Sequence, residues 1–208
     1  MPHPLYPMSM KGCSRVGSEL SEQTYGSLTV RGDYEGLNYF RRAVIADWRA
    51  NKRDLKARVL LLSFRITQLA MGSLTHPRKI SYPLVALYRI FTELTFSVEL
   101  RPRVRVGPGL IIYHGFGLVV NNDAVLGSNV ALRHGVTIGH RREGGASPVI
   151  HDNVEFGAAA CIIGPIHVGA GAKIGPHCVI MTDVQAGSVM TLAHEPKSVM
   201  RRSGTVGK

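Results

Sequence analysis

Nine histidines carry most of the chemistry open to this chain near neutral pH, because imidazole exchanges its proton there without special surroundings. His114 stands apart from the others. It sits in Tyr113-His-Gly-Phe-Gly117, and a carboxylate, Glu99, lies fifteen residues upstream. An imidazole backed by an acid keeps one tautomer and can draw a proton from a weak nucleophile such as an alcohol. His134 and His140, six residues apart, are the rival bases. A metal centre would need a third ligand to join them, and none of convincing spacing follows. His151, His167, His177 and His194 read as turn or surface residues. Cys13, Cys161 and Cys178 show no CxxC or zinc spacing. Their odd number argues against a disulfide framework and for a reducing compartment.

The elements that must position these residues show in the periodicity. Every sixth residue from Ile150 is large and apolar: Ile150, Phe156, Ile162, Val168, Ile174 and Ile180. Four residues after each comes a small or apolar residue: Val154, Ala160, Ile166, Ala172, Cys178 and Val184. A similar run covers Leu100, Val106, Ile112 and Leu118, then slips by two and continues through Val120, Leu126, Leu132 and Ile138. A period of six fits neither a helix nor simple alternation. It predicts a mainly β fold, a parallel β-helix in which three short strands and turns close one coil and the aliphatics stack inward. Between Ile138 and Ile150 the register survives while the apolar content is lost, so residues 139–149 are expected to be extruded as a loop. Its Arg141 and Arg142 could order around an anion.

Upstream, residues 38–98 have helical spacing of apolar residues (Val44, Ile45, Trp48, then Val59, Leu62, Phe64, Ile66, Leu69) interleaved with basic ones. This zone holds 11 Lys or Arg against Asp47, Asp54 and Glu93, so it carries +8 of the chain's net +11. The boundaries expected are a flexible tail at 1–37, basic helices at 38–98, the β-helix at 99–194 and a second tail at 195–208. No secretory signal is expected at the N-terminus, and the apolar run Val59–Phe64 is far shorter than the ~20 residues that span a bilayer. The charge predicts an anionic partner. Nucleic acid fits poorly, for the basic zone lacks interleaved aromatics and any DNA-binding motif.

The hexapeptide array, Glu99, the Tyr113–Gly117 segment and the loop together resemble the serine acetyltransferases, and more broadly the hexapeptide-repeat O-acetyltransferases that use acetyl-CoA. Ala46-Asp-Trp-Arg-Ala-Asn-Lys-Arg-Asp54 and Phe64-Arg-Ile66 resemble the stretch before that family's coils. The resemblance implies a left-handed β-helix, a homotrimer, and acetyl-CoA lying along the coils between subunits. His114 falls at the family's general base and Glu99 at its partner acid. Gly139 and His140 fall at a glycine pair whose N–H groups would hold the thioester oxyanion. For the acetyl-CoA, the resemblance points to Ala158, Gly164, Ala172, Lys173 and Pro176, with Lys197, Arg201 and Arg202 near the phosphates. No metal is expected.

Departures from the family bear on the acceptor. Serine acetyltransferases carry an acid before the base and an Arg-His pair before the loop proline. Here those positions are Tyr113, Ala146 and Ser147. Asp54 matches a further acceptor-binding acid, but the partners that would grip an ammonium and a carboxylate together are absent. A sugar hydroxyl needs no such clamp, and Tyr113 could pack on a sugar face. The pattern looks like the exopolysaccharide-type branch, which acetylates sugars of surface polymers or their lipid-linked precursors. Serine is the alternative acceptor, and a hexapeptide metalloenzyme of carbonic anhydrase type is the alternative class. The location expected is cytoplasmic, with peripheral contact to an anionic membrane or a lipid-linked glycan.

Overall fold

A computed structural model describes residues 36–192. The tails expected at 1–37 (but for its last two residues) and 195–208, with Lys197, Arg201 and Arg202, lie outside these. The described chain opens with three helices, α1 (Leu37–Ala50), α2 (Leu55–Met71) and α3 (Tyr82–Phe96), with a 3-10 turn at Lys79–Ser81. Asp54 starts α2 by accepting the Ala57 N–H at 3.0 Å, and Gly72 ends it at φ 72°. Among the described residues no helix is long and apolar enough to cross a membrane.

From Val98 the chain winds into a parallel β-helix with three faces. The first face stacks β1 (Val98–Leu100), β4 (Leu118–Val120), β7 (Thr137–Gly139), β10 (Cys161–Ile163) and β13 (Val179–Ile180). The second stacks β2 (Arg105–Val106), β5 (Val125–Leu126), β8 (Val149–Ile150) and β11 (His167–Val168). The third stacks β3 (Ile111–Tyr113), β6 (Ala131–Arg133), β9 (Glu155–Phe156), β12 (Lys173–Ile174) and β14 (Val189–Met190). Registers place Leu100, Val120, Ile138, Ile162 and Ile180 in one inward ladder. Each is almost wholly buried. The six-residue period thus delivers one aliphatic per face per coil to a continuous core. Consecutive coils approach so closely that a Cβ on Gly107 would sit 2.5 Å from the backbone of Gly127.

The ladder corrects one reading of the repeat. Leu118 belongs with Val98, not with Leu100. The slip of two residues therefore falls between Ile112 and Val120, at the corner that carries His114. The loop adds a second irregularity. From Ile138 to Ile162 the coil takes 24 residues instead of the 18 between Ile162 and Ile180. The extra unit leaves after Gly139 and returns at Val149 without disturbing the stack.

The first coil has no coil beneath it, so its backbone would be left bare. The helices supply the missing partners. Arg65, buried in α2, donates from Nη1 to Val106 O and from Nη2 to Gly107 O, both at 2.8 Å. Its Nε donates to Asp47 Oδ2 at 2.9 Å, and Asp47 Oδ1 accepts from Gly109 and Leu110 N–H at 2.8 and 3.0 Å. Asn51 bridges Leu110 O and the Ile112 N–H, Gln68 donates to Pro102 and Val104, and the Tyr88 hydroxyl donates to Leu100 O. Asp47→Ala strands a buried guanidinium and two amides. It should cost about 3–5 kcal/mol of unfolding free energy in urea titrations; an unchanged midpoint would show that the pair is not what closes the coil.

On the second face, His151 is buried just past β8, with its ring 5.9 Å from that of His167. Burial, and then the neighbouring imidazole, push His151 below the ordinary histidine range against a smaller upward pull from Asp152. The folded chain therefore binds less proton at His151 than the unfolded chain does. Its contribution to stability is complete above about pH 6.5 and is lost as pH falls below that value toward the folded pKa. His151→Gln should flatten the fall in unfolding midpoint between about pH 7 and pH 5; an identical pH profile would exclude His151 as its source.

Candidate active site

His114 follows β3 at the corner between the third and first faces, where the two extra residues of the first coil are accommodated. Its φ is 53°, in the left-handed region that side chains other than glycine seldom occupy. Gly115 and Gly117 flank the bend. Added bulk at Gly115 would meet Ile112 Cγ2 at 2.9 Å, so the turn leaves no room for a side chain there. The same left-handed backbone recurs at other corners of the coils, at Asn129, Asn153, Ala159 and His177, so it belongs to the turn that aims His114 outward.

Around His114 lies an open cleft of about 420 Å³, walled by Asp54, Lys56, Phe96, Val98, His114 and Phe116 among others. A broader hollow on its far side is lined by residues 50–54 and 111–114, so Asp54 and His114 border both. Lys56 Nζ stands 4.3 Å from the centre of the Phe116 ring, and the Arg133 guanidinium lies 4.9 Å from the centre of Tyr113. Both rings remain substantially exposed, Phe116 at 52% and Tyr113 at 42%. The N-cap and first turn of α2 thus set one carboxylate, Asp54, and one ammonium, Lys56, beside an imidazole flanked by aromatic rings. Lys56 did not stand out in the sequence, and Phe116 was marked only as part of the Tyr113–Gly117 segment.

Glu99 does not join this cluster. Its Oε1 accepts from Arg101 Nε at 2.9 Å and from Nη2 at 2.5 Å. The reason is the period of a strand: residues 99 and 101 share a face, whereas His114 leaves the third face at a corner. Among the described residues no hydrogen bond joins Glu99 to His114, and the acid bordering the cleft is Asp54. His134 stands one coil above His114, with ring centroids 6.4 Å apart at 63°.

Register places several of the expected cofactor residues on the same edge. Tyr113 pairs with Arg133 and Ala131 with Glu155, and Glu155 pairs with Lys173. His114, His134, Ala158 and Pro176 therefore climb a single corner, spanning roughly 14 Å at about 4.8 Å per coil. Lys173 points outward from β12 and pairs with Glu155 at 3.1 Å. Ala172 is different. Its side chain is wholly buried in the inward ladder, so it lines the core instead of a ligand surface.

Gly139 and His140 stand at the other edge of the first face, with β7 between them and the corner of His134. Gly164 follows on that same edge, its N–H donating to Gly139 O at 3.0 Å. No heavy atom lies within 4 Å of where a Gly139 Cβ would be. His140 Nδ1 lies 2.8 Å from Asn121 Nδ2, and Ser147 Oγ donates to Asn121 Oδ1 at 2.9 Å. Asn121, which the sequence did not single out, thus ties both ends of the loop to the coil beneath. Within one chain the expected oxyanion donors and His114 lie across a face and one coil apart.

The chain is 33% identical over 147 residues to the colanic acid biosynthesis acetyltransferase WcaB of Escherichia coli (strain K12), a match covering 68% of this chain and 90% of that protein. It is 34% identical over 115 residues to serine acetyltransferase of Helicobacter pylori (strain ATCC 700392 / 26695), covering 54% of this chain and 67% of the relative. Among solved structures, soybean serine acetyltransferase superposes with a TM-score of 0.64 at 30% identity over 74% of this chain and 66% of its own. Serine acetyltransferase of Neisseria gonorrhoeae in complex with serine gives 0.62 at 28% identity over 84% and 72%. No family model matches the chain.

Asn121→Ala should leave the coils intact while releasing the loop. Trypsin should then cleave after Arg141 or Arg142 about tenfold faster, as expected for about 1.4 kcal/mol of lost hydrogen bonding. Equal cleavage of variant and parent would place the loop's anchor elsewhere.

Proposed function

Because the chain belongs to the serine acetyltransferase-like hexapeptide-repeat O-acetyltransferases, we propose that it acetylates a sugar hydroxyl, in a polysaccharide or its lipid-linked precursor, at the cytoplasmic face of the membrane. The family supplies the reaction class and acetyl-CoA as co-substrate. The observation that carries the sugar reading is the pair of exposed aromatic rings, Tyr113 and Phe116, on either side of His114. Each ring has a cation against it, Lys56 on Phe116 and Arg133 on Tyr113, and the part left exposed suits the apolar side of a pyranose.

In this reading His114 takes the proton of the acceptor hydroxyl. The oxygen attacks the thioester carbonyl, a C–O bond forms, and the oxyanion is held by backbone N–H groups. The C–S bond then breaks, and the leaving thiolate recovers the proton from His114. The donor's pantetheine arm runs along the corner of His134, Ala158 and Pro176, with Lys173 and Gly164 to either side and Lys197, Arg201 and Arg202 toward the phosphates. The resemblance to the family leads us to assign a homotrimer with sites between subunits, in which Gly139 and His140 of one copy face His114 of the next. Glu99 remains a positioning residue for His114 if it exchanges Arg101 for the imidazole once that interface forms. Ser147 and Asp54 border the acceptor.

One observation favours serine as the second reading. Asp54 and Lys56 offer opposite charges across one cleft, as an ammonium and a carboxylate would require. The two readings separate in a free-thiol assay with acetyl-CoA and a panel of L-serine, nucleotide sugars and extracted polysaccharide repeat units. Turnover with a glycan acceptor and not with serine is expected; fast turnover of serine would reverse the assignment. His114→Ala should lower thiol release by ~10²–10⁴ while leaving the circular dichroism unchanged. Parental turnover by that variant would remove His114 from the chemistry.

A further inference from the structure

The solvent side of α2 has the wrong composition for water. Leu55, Val59, Leu62, Ile66 and Leu69 follow at intervals of four and three, opposite the buried Ala57, Leu60, Leu61, Phe64 and Thr67. Leu62 is half-buried and the others are exposed, Leu55 at 68% and Ile66 at 44%. A helix that is apolar all round is ordinarily covered on every side. α1 extends the patch. Trp48 is 43% exposed, and Arg58 of α2 stacks 4.6 Å from its ring while donating to its carbonyl at 3.2 Å. Next to Trp48 and Ile45 stand Arg41, Arg42 and Arg49, all exposed.

The charge identifies the partner. Neither α1 nor α2 carries an exposed carboxylate, since Asp47 is buried against Arg65. A second copy of this face would set arginine against arginine. A nucleic acid would satisfy the cations and leave the leucine–isoleucine line facing phosphates. A bilayer with anionic headgroups satisfies both, with aliphatics and Trp48 entering the interface and guanidinium groups meeting lipid phosphates. We propose that the outer face of α1 and α2 docks on an anionic membrane surface. The position of Leu55 gives this a consequence for the site: its neighbours Asp54 and Lys56 line the His114 cleft, so docking brings the cleft's mouth to the headgroup layer. The proposal goes beyond acetyl transfer and holds whether the acceptor is a sugar or serine.

The test is co-sedimentation of the full chain with phosphatidylglycerol–phosphatidylcholine vesicles against phosphatidylcholine alone, at low and high salt. Binding is expected on the anionic vesicles only, weakened by salt. Ile66→Glu, and separately Arg41→Ser with Arg49→Ser, should each weaken it about tenfold or more. Acetyl-CoA-dependent thiol release with a water-soluble acceptor should be unchanged in both, which separates this proposal from the assignment of the reaction. The arginine variant alters only exposed polar groups and keeps the test valid should Ile66→Glu unfold. The proposal is overturned if the parent ignores anionic vesicles or if the variants bind as the parent does. It is equally overturned if Ile66→Glu instead lowers the oligomeric mass, or if single-stranded nucleic acid binds more tightly than vesicles.

Discussion

The contact between Asp47 and Arg65 sits where the molecule is most exposed to failure. A stack of parallel coils satisfies its backbone by pairing each coil with the next, and the first coil has nothing below it. Hydrophobic packing cannot repair this, because the bare groups are carbonyls and amides. The helices bring six polar side chains to them, the Tyr39 hydroxyl on Val106 O included, and the one charge among these that donates to carbonyls is neutralised by the one that accepts from amides. Everything above inherits its register from that closure, including the corner of His114 and the orientation of Asp54 and Lys56 at the start of α2. The same helices that seal the coil therefore form one wall of the cleft.

How far the sequence could be read depended on how local each signal was. The stacked aliphatics repeat every six residues, so the faces and the inward ladders beyond Val120 were legible from spacing alone. The slip of two was visible too, but its place was misjudged by one position. Leu118 is as apolar as the residue that replaces it in the ladder, and composition does not tell two inward positions apart. The polar closure was invisible for a different reason. Asp47, Asn51 and Arg65 lie in stretches that only resemblance had marked and Gln68 in none, and only the fold reveals that they face main-chain groups some 35 to 60 residues away.

The site divides along the same line. His114 announced itself through its flanking glycines and the acid upstream, and only the strand register put it at the slip. Glu99 could be matched by position, yet Arg101, two residues on, claims its carboxylate within the single chain. Lys56 and Phe116 come from segments sixty residues apart and meet only in space. Asn121 lies beneath the loop it holds, connected to His140 and Ser147 by register and not by any motif.

The extruded segment leaves at Gly139 and re-enters at Val149 on neighbouring positions of the stack, so the coil on either side is indifferent to what is inserted between them. The coil scaffold and the excursion are in this sense separate inheritances. Lineages sharing the same winding can exchange or lengthen the excursion without retuning the core, and diversity in what such enzymes modify has a natural place to accumulate.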